Sequence, residues 1–179
     1  STADHLVRID SHIREGFLHH SSTLGVFLDI KSAYNLVSPT MLLRRMHHVG
    51  FRGHMMHFIR GFLSNRTFQV RSGVLSDVFK QEYGIVQGGV ISPILFNFAI
   101  DSIIDVLPPG VSYAIYADDV TIWTQGKHIP TLFRNIQRAL DRIGQWAVEN
   151  GFIFSSGKSN AILFRRSLKR PDASTFPDL

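Results

Sequence analysis

The 179-residue sequence has no cysteine, which excludes a disulfide scaffold and a thiolate zinc site and fits a reducing, intracellular compartment. It has no basic-then-apolar leader at its N-terminus. Its longest apolar stretch, Val90 to Ile100, is broken by Ser92-Pro93 and Asn97, so no segment is expected to span a membrane. It has no internal repeat and no low-complexity tract. Acidic residues are absent between Asp29 and Asp77, although Lys31, Arg44, Arg45, Arg52, Arg60, Arg66 and Arg71 all fall there. Net charge is +5. A one-sign stretch of that length favours a polyanionic partner, because each phosphate neutralised releases condensed counterions; the alternative is a solvated basic face.

What is present is a globular composition, 44% hydrophobic and 18% charged, long enough for one domain with its own core. Ser1 and Thr2 resemble a helix cap, followed by Leu6, Ile9, Ile13 and Phe17 at helical spacing. A chain that starts on a cap looks cut from something longer. The run "GVFLDI" (25–30) reads as a strand ending in Asp29. Met41 to His48 and His54 to Leu63 read as helices broken at Gly50-Phe51-Arg52-Gly53. Residues 67–71 and 78–84 alternate like a hairpin pair, and Ser92-Pro93 reads as a cap and first-turn proline opening another helix. Strands at 112–116 and 120–123 precede an amphipathic helix from Ile129 to Asn150-Gly151, and "AILF" (161–164) reads as a last strand. This mixture predicts an α+β fold, an antiparallel sheet with helices packed on one face.

Between the strands at 112–116 and 120–123 stands "YADD" (116–119), a tight turn without glycine. Such turns normally need glycine or asparagine at positive φ, and side-by-side carboxylates repel. Asp is common in turns, so the tetrapeptide alone decides nothing. Asp29 is a second carboxylate at a strand end. If its strand lies beside the hairpin, Asp29, Asp118 and Asp119 would gather at one sheet edge and cost stability unless cations neutralise them. Oxygen donors with no thiolate select Mg2+ or Mn2+.

With these residues in place the sequence resembles the palm of reverse transcriptases, and among them those of non-LTR (LINE-type) retrotransposons. "FLDIKSAYN" (27–35) is similar to motif A, "GIVQGGVISPILFN" (84–97) to motif B, "YADD" to motif C and "NGFIFSSGKSNAILF" (150–164) to motif D. "STADHL" (1–6) is similar to the stretch before motif A.

The resemblance implies a right-hand polymerase palm with part of the fingers over residues 1–165 and a frayed tail, 166–179, leading toward a primer grip and thumb. The fingers' triphosphate-gripping residues would lie before Ser1. The remainder of a parent polyprotein, including any endonuclease, would lie outside this chain, and the isolated chain would be inactive. It implies two Mg2+ ions, with Mn2+ as a substitute, held by Asp29 and Asp118 as principal ligands, Asp119 as third carboxylate and the Ile30 carbonyl. Tyr34 would lie under the incoming sugar and clash with a 2′-OH. Gln87 and Gly88 would support the template base and nucleotide beside Tyr116 and Ala117 of motif C, and Lys158 would serve the leaving pyrophosphate as charge or proton donor. Partners would be an RNA template, a DNA primer and dNTPs, with an intracellular location, nuclear at integration. Asn35 stands where many relatives have Asp, and Val86 where Pro precedes Gln-Gly. An RNA-dependent RNA polymerase palm shares the carboxylates, though Tyr34 and "QGGVISPILF" argue against it. A decayed element kept as a nucleic-acid-binding module is the other rival. His47, His48, His54 and His57 read as structural or solvated.

Overall fold

A computed structural model describes residues 2–166. In chain order the elements are α1 (Thr2–Leu18), β1 (Ser22–Asp29), α2 (Ala33–Leu36), α3 (Pro39–His48) and α4 (Gly53–Leu63). Four short strands follow: β2 (Thr67–Phe68), β3 (Arg71–Ser72), β4 (Val74–Leu75) and β5 (Phe79–Lys80). Then come α5 (Ser92–Ile100), a 3-10 helix (Asp101–Val106), β6 (Ser112–Tyr116), β7 (Asp119–Gly126), α6 (Ile129–Asn150) and β8 (Asn160–Phe164). The α+β fold with an antiparallel sheet is the one expected. The expected cap at Ser1 and the tail beyond Arg166 lie outside the described residues. Among the described residues no helix is long and apolar enough to cross a membrane.

The chain divides into two compact units. The first comprises the residues up to 31, 103–148 and those from 153 onward. Its sheet has the order β6-β7-β1-β8, antiparallel throughout. β1 is flanked on both sides, which is why "LGVFL" reads as an almost unbroken apolar run rather than an alternation. Leu24, Val26, Leu28, Val120 and Ile122 from one alternation of β1 and β7 are buried. On the other alternation α1 lies across the sheet, with Ile9 and Ile13 packed on Ala114, Trp123 and Phe27. Trp123 Nε1 donates to His12 Nδ1 at 2.7 Å, which satisfies the buried indole. α6 buries one stripe, Leu132, Phe133, Ile136, Ala139 and Ile143, matching its 3.6-residue period. Fully burying side chains of this size contributes about 1.5–3 kcal/mol each. Gly151 stops α6 with φ of 76°.

The second unit comprises residues 32–102 and 149–152. Ser38 caps α3, its side chain accepting from the Met41 N–H, with Pro39 in the first turn. α3 packs against α4 and α5, burying Leu42, Met46, Ile59, Leu63, Leu95 and Phe96. The hairpin expected from 67–71 and 78–84 forms, with Thr67 opposite Lys80 and Phe68 opposite Phe79. β3 and β4 make a smaller hairpin inside it. Ser92 departs from its expected role. The N-cap of α5 is Ile91, already at φ −89° and ψ −10°, so Ser92 lies inside the first turn beside Pro93. Its hydroxyl is buried without a hydrogen-bond partner and caps nothing. α2 was not foreseen: it is four residues long, entered through Ser32 at φ 47°, and too short for a period to show.

Candidate functional site

The carboxylates belong to the first unit. The hairpin register pairs Tyr116 with Asp119, so only Ala117 and Asp118 remain for the turn. Ala117 has φ of 51°. A two-residue turn with positive φ at its first central position suits the strand twist but favours glycine there, so an alanine carries steric cost. β1 runs antiparallel to β7 and pairs Asp29 with Asp119 at its end. Residues directly opposite share a face of the sheet, and like charges there destabilise it. Asp118 and Asp119 are exposed and Asp29 is half-buried.

Lys158 is delivered to the same place by a turn stapled to the end of β1. The Ser155 N–H donates to the Asp29 carbonyl at 2.8 Å, and the Ser159 hydroxyl donates to the Ser155 carbonyl at 2.8 Å. The Asp29 N–H donates to the Ser159 hydroxyl at 3.4 Å. Lys158 Nζ then lies 3.6 Å from Asp29 Oδ2. The lysine side chain is 73% exposed, so this pair adds little stability but does place a cation beside the carboxylate. Ser155 and Ser159 are not expected site residues; the signal for them is "SSGKSN" (155–160), rich in turn-forming residues just before a strand.

Ile30 is buried and forms an isolated antiparallel bridge with Phe154. The bridge uses the carbonyl of Asp29 and the N–H of Lys31, bonded to Ser155 and Ile153, which leaves the Ile30 carbonyl uncommitted to it. Beside Asp119 a cleft of about 200 Å³ is lined by Leu6, Phe27, Ala114, Tyr116 and Thr121. Tyr116 is 44% exposed at its rim.

The expected gathering of carboxylates is therefore met in part. β1 does lie beside the hairpin and Asp29 faces Asp119, while Asp118 sits in the turn. Among the described residues no group of three or more His, Asp or Glu side chains converges closely enough to hold an ion. Asp29 Oδ2 faces the Lys158 ammonium at 3.6 Å. In donor type the set fits a hard divalent cation: carboxylate oxygens at strand ends, open to solvent.

Tyr34, Gln87 and Gly88 belong to the second unit. Tyr34 is half-buried, its ring stacked on Phe96 with centroids 4.9 Å apart and planes 13° off parallel. Gln87 is exposed, and its amide donates to Asn35 Oδ1 at 3.4 Å. Thus Asn35 joins the segment after β1 to the loop at Gln87–Gly88. Gly88 has φ of 83°, and a side-chain carbon there would meet nothing within 4 Å. Backbone conformation, rather than crowding within the chain, requires glycine at that point. His47, His48, His54 and His57 are all exposed on α3 and α4.

Comparison with known proteins bears on these arrangements. The family model for reverse transcriptase (RNA-dependent DNA polymerase) matches residues 2–174. The RNA-directed DNA polymerase from mobile element jockey of Drosophila melanogaster is 31% identical over 153 residues, covering 82% of this chain and 17% of that protein. The putative 115 kDa protein in type-1 retrotransposable element R1DM, also from Drosophila melanogaster, is 26% identical, covering 86% of this chain and 15% of that protein. The chain thus spans less than a fifth of the length of these curated relatives. Among solved structures, apo telomerase from Candida tropicalis truncated from its C-terminal domain superposes with a TM-score of 0.70 at 16% identity. That match covers 94% of this chain and 36% of the telomerase. Telomerase from the same organism with a fragment of telomeric RNA gives 0.72 at 14% identity, covering 91% and 29%. At such identities the likeness shows the fold, that of a right-hand polymerase.

Proposed function

The chain belongs to the reverse transcriptase (RNA-dependent DNA polymerase) family, with relatives in non-LTR (LINE-type) retrotransposons, and from that premise we propose that it is the palm, with part of the fingers, of a longer RNA-directed DNA polymerase. In this reading a primer 3′-OH attacks the α-phosphate of a dNTP on an RNA template. The observation that carries it is the carboxylate pair at the strand ends of the sheet: Asp29 opposite Asp119, beside a turn that holds Asp118 on a positive-φ alanine. No packing benefit explains two facing acids at strand ends, one exposed and one half-buried, and local rules are broken most often where a site needs them broken.

Asp29, Asp118 and Asp119, with the Ile30 carbonyl, are the residues that would hold Mg2+ or Mn2+. Two such ions, when bound, supply charge stabilisation to the attacking and leaving oxygens. The chain's own contribution is to fix the carboxylates on paired strands and to keep Lys158 at the same edge. There its ammonium would neutralise or protonate the departing pyrophosphate. Tyr34 would exclude a 2′-OH from the sugar position, Gln87 and Gly88 would border the templating base, and Tyr116 and Ala117 would contact the substrate. The exposed residues of the basic segment from Lys31 to Arg71, such as Arg44, Arg52, Arg60 and Arg71, would meet nucleic-acid phosphates, with affinity falling steeply as salt rises. The same reading carries a nuclear location at integration, which fractionation of cells expressing the full protein would check.

The test is extension of a DNA primer on an RNA template with Mg2+. It compares this chain with a polypeptide that restores flanking sequence on both sides. Holding reactants in line contributes roughly 7–11 kcal/mol in favourable cases, so the longer protein should extend with dNTPs and the 179-residue chain barely. Extension of an RNA primer with ribonucleotides instead would indicate an RNA polymerase palm. Binding with no extension by the longer protein would indicate a decayed module.

A further inference from the structure

Arg66 lies outside all four motifs, yet its side chain ties together three main-chain carbonyls of the second unit. Its Nε donates to the Leu63 carbonyl at the end of α4 at 3.2 Å. Its Nη2 donates to the carbonyls of Tyr83 at 3.2 Å and Gly84 at 2.6 Å. The residues it grips are themselves pinned on their other side. The Gly84 N–H donates to the Val37 carbonyl at 2.8 Å, and the Ile85 N–H to the Tyr34 carbonyl at 2.9 Å. The approach is close enough that a side-chain carbon at Gly84 would lie 3.0 Å from both Asn35 Cα and the Tyr34 carbonyl oxygen. Residues 83–85 are therefore held between the guanidinium and the main chain of Tyr34 to Val37.

Among the described residues Arg66 has no carboxylate partner, and its Nη1 is buried with nothing to donate to. Burial pulls its pKa below the ordinary arginine value, though the group stays charged. A partly buried cation satisfied only by main-chain carbonyls is costly, and a planar fork of donors is what three converging carbonyls require. A lysine could reach one or two of them.

We infer that Arg66 is a positioning residue that locks residues 83–85 onto Tyr34–Val37, fixing the spacing between the sugar-selecting Tyr34 and the Gln87–Gly88 loop. The inference rests on the polymerase reading above. Arg66 touches neither nucleotide nor metal in this account; it acts through main chain.

The experiment uses the longer polymerase carrying this chain, as wild type, Arg66→Met and Arg66→Lys. It measures kcat and KM for a dNTP and for the matching ribonucleotide on one RNA template. Amide hydrogen exchange at Gly84 and Ile85 is followed alongside. Arg66→Met should raise KM for the dNTP and lower deoxy-over-ribo discrimination about tenfold, with kcat changed by no more than about twofold. Arg66→Lys should recover part of both. Exchange at Gly84 and Ile85 should accelerate while the β1–β7 amides stay protected. Unchanged KM and discrimination in a wild type that extends primers would overturn the inference and leave the polymerase reading intact. So would an equal loss of kcat for both nucleotides with no change in their ratio, which a purely structural role predicts. A wild type that does not extend would overturn the reading itself, and unchanged exchange at Gly84 and Ile85 would separately refute the lock. If Arg66→Met does not fold, Arg66→Lys decides by the same measurements.

Discussion

Among the turns that place backbone at positive φ, two are built in opposite ways. In the second unit the sharp entry to motif B uses glycine where glycine is required: Gly84 at 84° and Gly88 at 83°. The Gly84 N–H and C=O groups are paired with Val37 and Arg66, and its main chain lies close against Tyr34 and Asn35. In the first unit the turn at 117–118 has an alanine at 51°, and two exposed acids follow it. Asp119 faces Asp29 across the strand pair. One turn satisfies each local rule and the other breaks two at once. The difference separates a scaffold, optimised for its own packing, from a site whose charges are arranged for something the chain does not contain.

If that contrast is right, the two turns answer oppositely to the same class of substitution. Gly84→Ala puts a methyl 3.0 Å from main-chain atoms of Tyr34 and Asn35 at a φ that alanine resists. It should cost about 2–3 kcal/mol of stability, read from urea unfolding of the chain. A cost under about 0.5 kcal/mol would show that the turn relaxes freely and is no rigid scaffold.

Tyr34 stands in the well-packed region yet carries a proposed functional role, so it tests where the boundary falls. In the longer polymerase Tyr34→Val should raise kcat/KM for ribonucleotides about tenfold relative to deoxynucleotides, by opening room for the 2′-OH. An unchanged ratio, with only lost stacking on Phe96, would return Tyr34 to the scaffold.

The smallest effect is expected at the strained turn. Ala117→Gly relieves about 1–2 kcal/mol of left-handed strain against about 0.4–1 kcal/mol of added unfolded-state entropy. A net gain of about 0.5 kcal/mol should appear as a slightly higher urea midpoint. A clear loss of stability would mean that the turn is not strained and that the contrast is wrong.

Much of this was legible in the sequence, for identifiable reasons. The apolar run ending in Asp29 and the two β-rich runs around "YADD" mark carboxylates at strand ends. Helical periods located α1, α3, α4 and α6, and hairpin alternation located the pairing of β2 with β5. What could not be read depended on tertiary contacts. That Asp119, rather than Asp118, faces Asp29 follows from the register of β1 on β7, fixed by packing over the whole sheet. Ser92 looked like a cap because its composition suits one, but Ile91 had already entered helical conformation. Arg66 gave no signal, since its partners at Tyr83 and Gly84 lie 17 and 18 residues away with no local period to reveal them. The staple from Ser155 and Ser159 to Asp29 was hidden for the same reason.

The central claim is that the acids at the strained turn exist for phosphoryl transfer. It is tested most directly by single-nucleotide extension of a DNA primer on an RNA template with Mg2+, comparing the longer polymerase with its Asp118→Asn variant. The substitution keeps size and turn propensity and removes only charge, so folding should be unaffected, as circular dichroism would verify. The account predicts that extension falls at least about a hundredfold, since several kcal/mol of charge stabilisation is lost at about 1.4 kcal/mol per tenfold in rate. Extension by Asp118→Asn at a near-normal rate would contradict it.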